Sequence, residues 1–113
     1  MTAETLRSQV ETARLWVREH VRGNVTGQAV RVSLGEAERD AAAATSRFAG
    51  WDPRGETRAV RSEVAALGTD VTETLARLRI AAEDGRWDAL PALARPLARL
   101  SVRLESAARR ADP

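Results

Sequence analysis

Cysteine, lysine and tyrosine are absent from this 113-residue sequence, and histidine, phenylalanine and methionine occur once each. The absence of cysteine excludes disulfides, thiolate metal ligands and cysteine nucleophiles. The absence of lysine excludes a phosphate-binding loop of the Gly-x-x-x-x-Gly-Lys type, and no serine lies in a Gly-x-Ser-x-Gly elbow. We therefore expect no catalytic residue, no metal site and no cofactor, and an enzyme is the least favoured class of function.

Long apolar runs are also missing, because nowhere do 18 apolar residues follow one another as a membrane-spanning helix requires. The first ten residues, MTAETLRSQV, contain an early glutamate and no apolar stretch of signal-peptide length. These features predict a cytoplasmic protein that does not associate with a membrane.

Aromatic residues make up only 4% of the sequence, whereas 43% of it is hydrophobic and 30% is charged. The core must therefore be built from leucine, valine and alanine, a composition that favours packed helices over a sheet. The length suits one core, so we expect a single helical-bundle domain over residues 1–113.

All 18 basic residues are arginine, and together with the abundant alanine this bias indicates a GC-rich bacterial genome. The isoelectric point near 10.8 reflects the high pKa of arginine, because the formal net charge is only +2. The composition does not indicate a generally basic nucleic-acid binder.

Apolar residues recur at helical spacing in four segments. The predicted helices cover about residues 3–22, 28–49 and 53–84, followed by a last helix that opens after Asp88. An alternative start for the second helix is Ser33, which would form a capping box with Glu36. Short connections between apolar stripes predict an antiparallel four-helix bundle, with mixed topologies left open.

The third predicted helix is longer than its partners. A continuous rod over residues 53–84 would measure about 48 Å, against about 30 Å for the first helix. The third helix must therefore overhang the bundle, or bend or break near Gly68, and a break would give five helices. Pro96 lies inside the last helix, where a proline predicts a kink.

Arginines form rows on the first and last helices. Arg95, Arg99 and Arg103 recur every four residues opposite the leucines, and Arg110 joins them. A similar row on the first helix, Arg7, Arg14, Arg18 and Arg22, is diluted by glutamates. Such rows can face phosphates, but a solvated face or ion pairs between helices are commoner.

Two tryptophans, Trp51 and Trp87, are predicted in loops that flank helix ends. Most such residues cover the end of a core, although tryptophan is also enriched at interaction hot spots. The two loops lie at opposite ends of an antiparallel bundle, so a joint patch is not expected.

The single histidine, His20, lies at the edge of the first apolar stripe, one turn after Trp16 and close in helical projection to Gln9. These three residues are candidates for the edge of a polar pocket. No second histidine is available to complete a metal site, and a partly buried packing role is the commoner one.

The favoured hypothesis is a small helical interaction or regulatory protein that docks a helix face onto a protein partner or a second copy of itself. The alternative is a helical accessory subunit of a nucleoprotein assembly that contacts the phosphate backbone through the arginine row. A third hypothesis is a small enzyme or binder of an anionic metabolite.

Overall fold

A computed structural model of the chain describes residues 2–49 and 58–111. Of these described residues, 92% are helical. They form four α-helices and one short 3-10 turn at Trp87–Ala89. The α-helices are α1 (Thr2–Val21), α2 (Gly27–Ala49), α3 (Arg58–Glu83) and α4 (Leu90–Ala111).

Sequential helices run antiparallel, and α1 also packs beside α4 to close the bundle. The start of α1 lies beside the end of α4, since Arg7 contacts both Ser101 and Glu105. On α2 and α3, Thr45 lies against Gly68. Each helix therefore has two neighbours and lies diagonally across from the fourth, which confirms the predicted four-helix bundle.

The core consists almost entirely of leucine, valine and alanine, with Phe48 as its one buried phenylalanine. The predicted stripes face inward, and Leu6 and Val10 on α1, for example, are fully buried. An exception is Val21, whose helical spacing places it in the stripe of α1 but which is 63% exposed at the end of that helix. Leu93 is only partly buried against the core. By contrast, Ile80, on the outer side of α3, is 43% exposed.

The break considered near Gly68 does not occur, because α3 is one unbroken helix of 26 residues. A Cβ at position 68 would lie only 2.5 Å from Thr45 Oγ1, so this glycine allows α2 and α3 to approach closely. The predicted start at residue 53 lies outside the described residues. Helix α4 continues through Pro96, and the kink there stays a prediction.

Helix ends follow from local hydrogen bonds. Helix α2 begins at Gly27 rather than at the alternative Ser33, because the Thr26 hydroxyl accepts the Ala29 N–H at 3.1 Å and serves as the N-cap. Two residues beyond the ends of α1 and α3 lie Gly23 and Gly85, whose φ angles are 78° and 73°, in the left-handed region that glycine adopts readily.

Among residues 2–49 and 58–111, no helix combines the length and the apolar character needed to cross a lipid bilayer.

Candidate functional site

The four arginines of the predicted row on α4 lie in three different environments. Arg95 turns toward α1, where it lines a groove between α1 and α4. Arg99 and Arg103 line a second groove, on the α3 side of the helix. Arg110 forms an ion pair with Glu63 of α3. The four arginines lie on one helix, but they do not form one continuous basic surface.

The second groove, between α3 and α4, has a volume of about 300 Å³ and mixed charge. Asp70, Glu73 and Arg77 line its α3 side, opposite Arg99 and Arg103. Among the residues that the structure describes, no carboxylate oxygen lies within 4.0 Å of Arg99 or Arg103. The acidic side chains nevertheless reduce the positive potential that a phosphate would meet there.

The first groove, between α1 and α4, is different because no acidic residue lines it. It has a volume of about 320 Å³ and lies open to solvent. Its apolar lining comes from small and medium side chains, and its charged lining is entirely arginine. The lining residues are Arg14, Val17, Arg18, Val21, Arg22, Pro91, Ala94, Arg95 and Ala98.

Two of the four arginines in the α1–α4 groove have carboxylate partners on their own helix. Arg14 pairs with Glu11 at 3.1 Å, and Arg22 pairs with Glu19 at 3.3 Å. Within the described part of the chain, Arg18 and Arg95 have no carboxylate oxygen within 4.0 Å. The groove thus carries positive charge that the described residues do not neutralise by direct contact.

A polar cluster lies farther along the same face, near the start of α1 and the end of α4. The Ser101 hydroxyl, only 4% exposed, donates to Glu11 Oε1 at 2.6 Å. Arg7 Nε donates to the Ser101 oxygen at 3.4 Å, and its guanidinium approaches Glu105 to 3.6 Å. The acids of this cluster are therefore already partnered within the chain.

The pKa values of Glu11 and Glu19 lie below their ordinary range. For Glu11 the chief cause is the hydrogen bond from Ser101, with further lowering by Arg14 and Arg7. For Glu19 the chief cause is the hydrogen bond from Asn24. Hydrogen bonds to a carboxylate favour its charged form, so both glutamates are ionised at neutral pH.

Trp87 is a packing residue at the end of the bundle where α1 ends and α2 begins. Its ring stacks on His20, with centroids 4.6 Å apart. The Arg31 guanidinium lies over the Trp87 ring, 5.0 Å from its centroid. A Cβ at Gly27 would come within 2.8 Å of this ring. Trp87 therefore joins α1, α2 and the α3–α4 connection.

These contacts give Trp87, Trp16 and His20 packing roles, and the interaction surface and the polar pocket edge predicted at these positions stay predictions. Trp16 packs partly buried against the core, and His20 is covered on one side by Trp87. Gln9 precedes His20 by three turns, about 16 Å along α1, so helical projection overstated their proximity. Trp51 lies outside the described residues.

The sequence contains one signal for the α1–α4 groove. The row Arg14, Arg18 and Arg22 predicts a basic stripe on α1, but only the antiparallel pairing of α1 with α4 brings Arg95 beside it. The intervening glutamates, which dilute the row in sequence, form ion pairs along the helix with Arg14 and Arg22.

Within residues 2–49 and 58–111, no group of three or more histidine, cysteine, aspartate and glutamate side chains could hold a metal ion. No family model, curated protein or solved structure matches the chain.

Proposed function

We propose that this protein is a small interaction protein that binds a protein partner on the face formed by α1 and α4. The observation that carries the proposal is the α1–α4 groove, which is lined by four arginines and by five apolar side chains, here called the apolar floor, and by no acidic residue. Protein interfaces typically combine an apolar centre with arginine and a polar rim.

The apolar part of the groove is accessible to a partner. Val21, at one end of the groove, is 63% exposed, and Val102, farther along α4, is 66% exposed. Covering such side chains removes apolar surface from water and favours association by about 25 cal/mol per Å². The groove is shallow and open, which suits a protein surface better than an enclosed small molecule.

Binding to a nucleic-acid backbone is the second candidate function. It is supported by Arg99 and Arg103, which are exposed and have no described carboxylate within 4.0 Å. It has less support than protein binding because Asp70 and Glu73 line the same groove and the charge of Arg110 is offset by Glu63.

Site-specific photo-crosslinking in the host cell tests the proposal. A benzophenone amino acid is placed at Val21, in the α1–α4 groove, and in a separate variant at Val32, on α2. Val32 is the matched control because it is also apolar and 47% exposed. We expect one dominant protein adduct from position 21 and none of the same mass from position 32.

Mass spectrometry identifies the adduct and shows whether the partner is another protein or a second copy of the chain. Equal adducts from both positions would show nonspecific contact, and no adduct from position 21 would contradict the proposed function. An adduct with nucleic acid instead of protein would favour the second candidate function.

A further inference from the structure

We infer that the partner segment bound in the α1–α4 groove is an acidic amphipathic helix, which sets apolar side chains into the groove and carboxylates against its arginines. This inference rests on the proposed function and specifies the chemistry of the partner.

The charge of the groove favours a partner that supplies negative groups. Four arginines line it, and the carboxylates of Glu11 and Glu19 form ion pairs with only two of them. Arg18, on α1, and Arg95, on α4, lie on opposite helices of the groove, and no described carboxylate is within 4.0 Å of either. A bound segment that pairs with both arginines therefore presents carboxylates on both of its flanks.

The apolar floor requires nonpolar groups on the side of the partner that faces the groove. Val17 and Val21 supply it from α1, and Pro91, Ala94 and Ala98 supply it from α4. The small side chains on α4 leave room for larger ones from a partner. A sugar–phosphate backbone offers only its sugar carbons to this floor, so it covers less apolar surface than leucine-sized side chains would.

The spacing of the arginines matches one flank of a helix. Arg14, Arg18 and Arg22 recur every four residues, so the row rises about 6 Å per arginine along α1. A partner helix that runs along the groove presents side chains on one flank at nearly the same interval. Acidic residues at positions i and i+4 would therefore meet successive arginines, with apolar residues between them facing the groove. Alternate side chains of an extended segment repeat at a similar interval of about 6.6 Å. An extended segment, however, would leave backbone N–H and C=O groups unpaired against the apolar floor, whereas a helix pairs these groups internally.

A second copy of this chain fits the groove less well. Two-fold pairing places the same surface on both sides of an interface, so the arginines of one groove would face the arginines of the same groove on the second copy. The glutamates elsewhere on this face are not free to neutralise these arginines. Glu11 already accepts from Ser101 and Arg14, and Glu105 already contacts Arg7 and Arg109.

Peptide display tests the inference and does not require that the partner be identified. Random 16-residue peptides are selected on the immobilised wild-type protein and, in parallel, on the double variant Arg18→Gln, Arg95→Gln. We expect the wild type to enrich peptides with acidic residues four apart that flank apolar residues at i, i+3 or i+4, and i+7. The double variant should not enrich them.

Affinity is then measured by fluorescence anisotropy with one enriched peptide and a scrambled peptide of the same composition. Two partly exposed ion pairs predict that the double variant weakens binding by about tenfold. The matched control is Arg39→Gln, Arg47→Gln, because these two arginines are exposed on α2 and lie outside the groove. This control should change affinity by less than about twofold, and circular dichroism verifies that both variants fold.

If the scrambled peptide binds equally well, the groove attracts anions in general. If duplex DNA competes equally well, the groove binds a phosphate backbone and not an acidic helix. Either result overturns the inference, as does enrichment of basic or uncharged peptides. If photo-crosslinking at Val21 identifies a partner whose contact segment is not acidic, the inference fails while the proposed function stands. If no adduct forms at Val21, the proposed function itself fails.

Discussion

Gly68 and Gly35 both lie inside helices, but only Gly68 has a neighbour in the space that a Cβ would fill. At Gly68 an added Cβ would lie 2.5 Å from Oγ1 and 2.9 Å from Cγ2 of Thr45. At Gly35 its nearest neighbour would be the guanidinium of Arg39, at 3.5 Å. Contacts between α2 and α3 therefore decide whether a glycine in these helices contributes to stability through close packing.

Replacing Gly68 with alanine should destabilise the protein. Overpacking costs about 1–3 kcal/mol and outweighs the gain of about 1 kcal/mol from the higher helix propensity of alanine. Gly35→Ala should instead stabilise the fold by about 0.5–1 kcal/mol, since the contact there is ordinary. Urea denaturation measures both changes in unfolding free energy.

The double variant Gly68→Ala, Thr45→Ala provides the control for this explanation. Removing the Thr45 hydroxyl and methyl groups should recover part of the loss, because only the Thr45 Cβ, at 3.2 Å, would remain near the new methyl. Equal effects of alanine at positions 35 and 68 would contradict close packing as the role of Gly68.

At the scale of helix pairs, Ser101 links α4 to α1 by donating to Glu11. Replacing Ser101 with alanine should raise the pKa of Glu11 toward its ordinary value, since this hydrogen bond is the chief cause of its lowering. An NMR titration of the Glu11 carboxyl measures the shift. Ser106→Ala is the control, because Ser106 is exposed on the same helix and should leave the pKa unchanged.

The same bond makes stability depend on pH in a defined direction. A carboxyl whose pKa is lower in the folded state stabilises the protein above its unfolded pKa. The wild type should therefore lose this contribution as the pH falls below about 4.5 and through the lowered folded pKa. Ser101→Ala should show a smaller loss over that interval, and an identical loss in the variant would contradict the assignment.

The arginines of α4 differ in what they contribute to the α3–α4 pair. The double variant Arg99→Gln, Arg103→Gln should change the unfolding free energy by no more than about 0.5 kcal/mol, since neither side chain has a described ion pair. Arg110→Gln removes the contact with Glu63 and should cost up to about 1 kcal/mol at low salt.

Urea denaturation at low and high ionic strength separates the two cases, because salt screens exposed ion pairs. The effect of Arg110→Gln should shrink in high salt, whereas that of the double variant should stay near zero. A larger loss in the double variant than in Arg110→Gln would show that Arg99 and Arg103 form ion pairs with residues such as Asp70.

At the scale of the whole molecule, the four helices share one hydrophobic core. We expect far-ultraviolet circular dichroism to show more than about two-thirds helix, because the helices account for most of the described residues. We also expect a single cooperative unfolding transition, as is usual for a small domain with one core.

Tryptophan fluorescence provides an independent measure of the same transition. Trp16 packs against the core on α1, and Trp87 contacts residues of α1 and α2. The fluorescence and circular dichroism midpoints should therefore coincide in urea. Separate midpoints would contradict a single cooperative transition.

The sequence by itself determined the fold class, the four helices and most of the residues that face the core, although Val21 is exposed and Leu93 only partly buried. Apolar side chains at helical spacing are enough to identify a buried stripe, because the backbone geometry places residues three and four apart on one side. Thus helical spacing places Leu67 in the apolar stripe of α3 and Ile80 on the opposite face, and they are fully buried and 43% exposed, respectively.

Tertiary structure alone decided which helix each surface residue meets. Helical spacing places Arg95 and Arg99 on one face of α4, yet they line different grooves because α1 and α3 flank that helix on opposite sides. Helix propensity at Gly68 suggested a break, but a close contact with Thr45 fills the space that the missing side chain leaves. Local patterns describe one helix at a time, whereas grooves, ion pairs and close approaches depend on two helices and on their relative rotation.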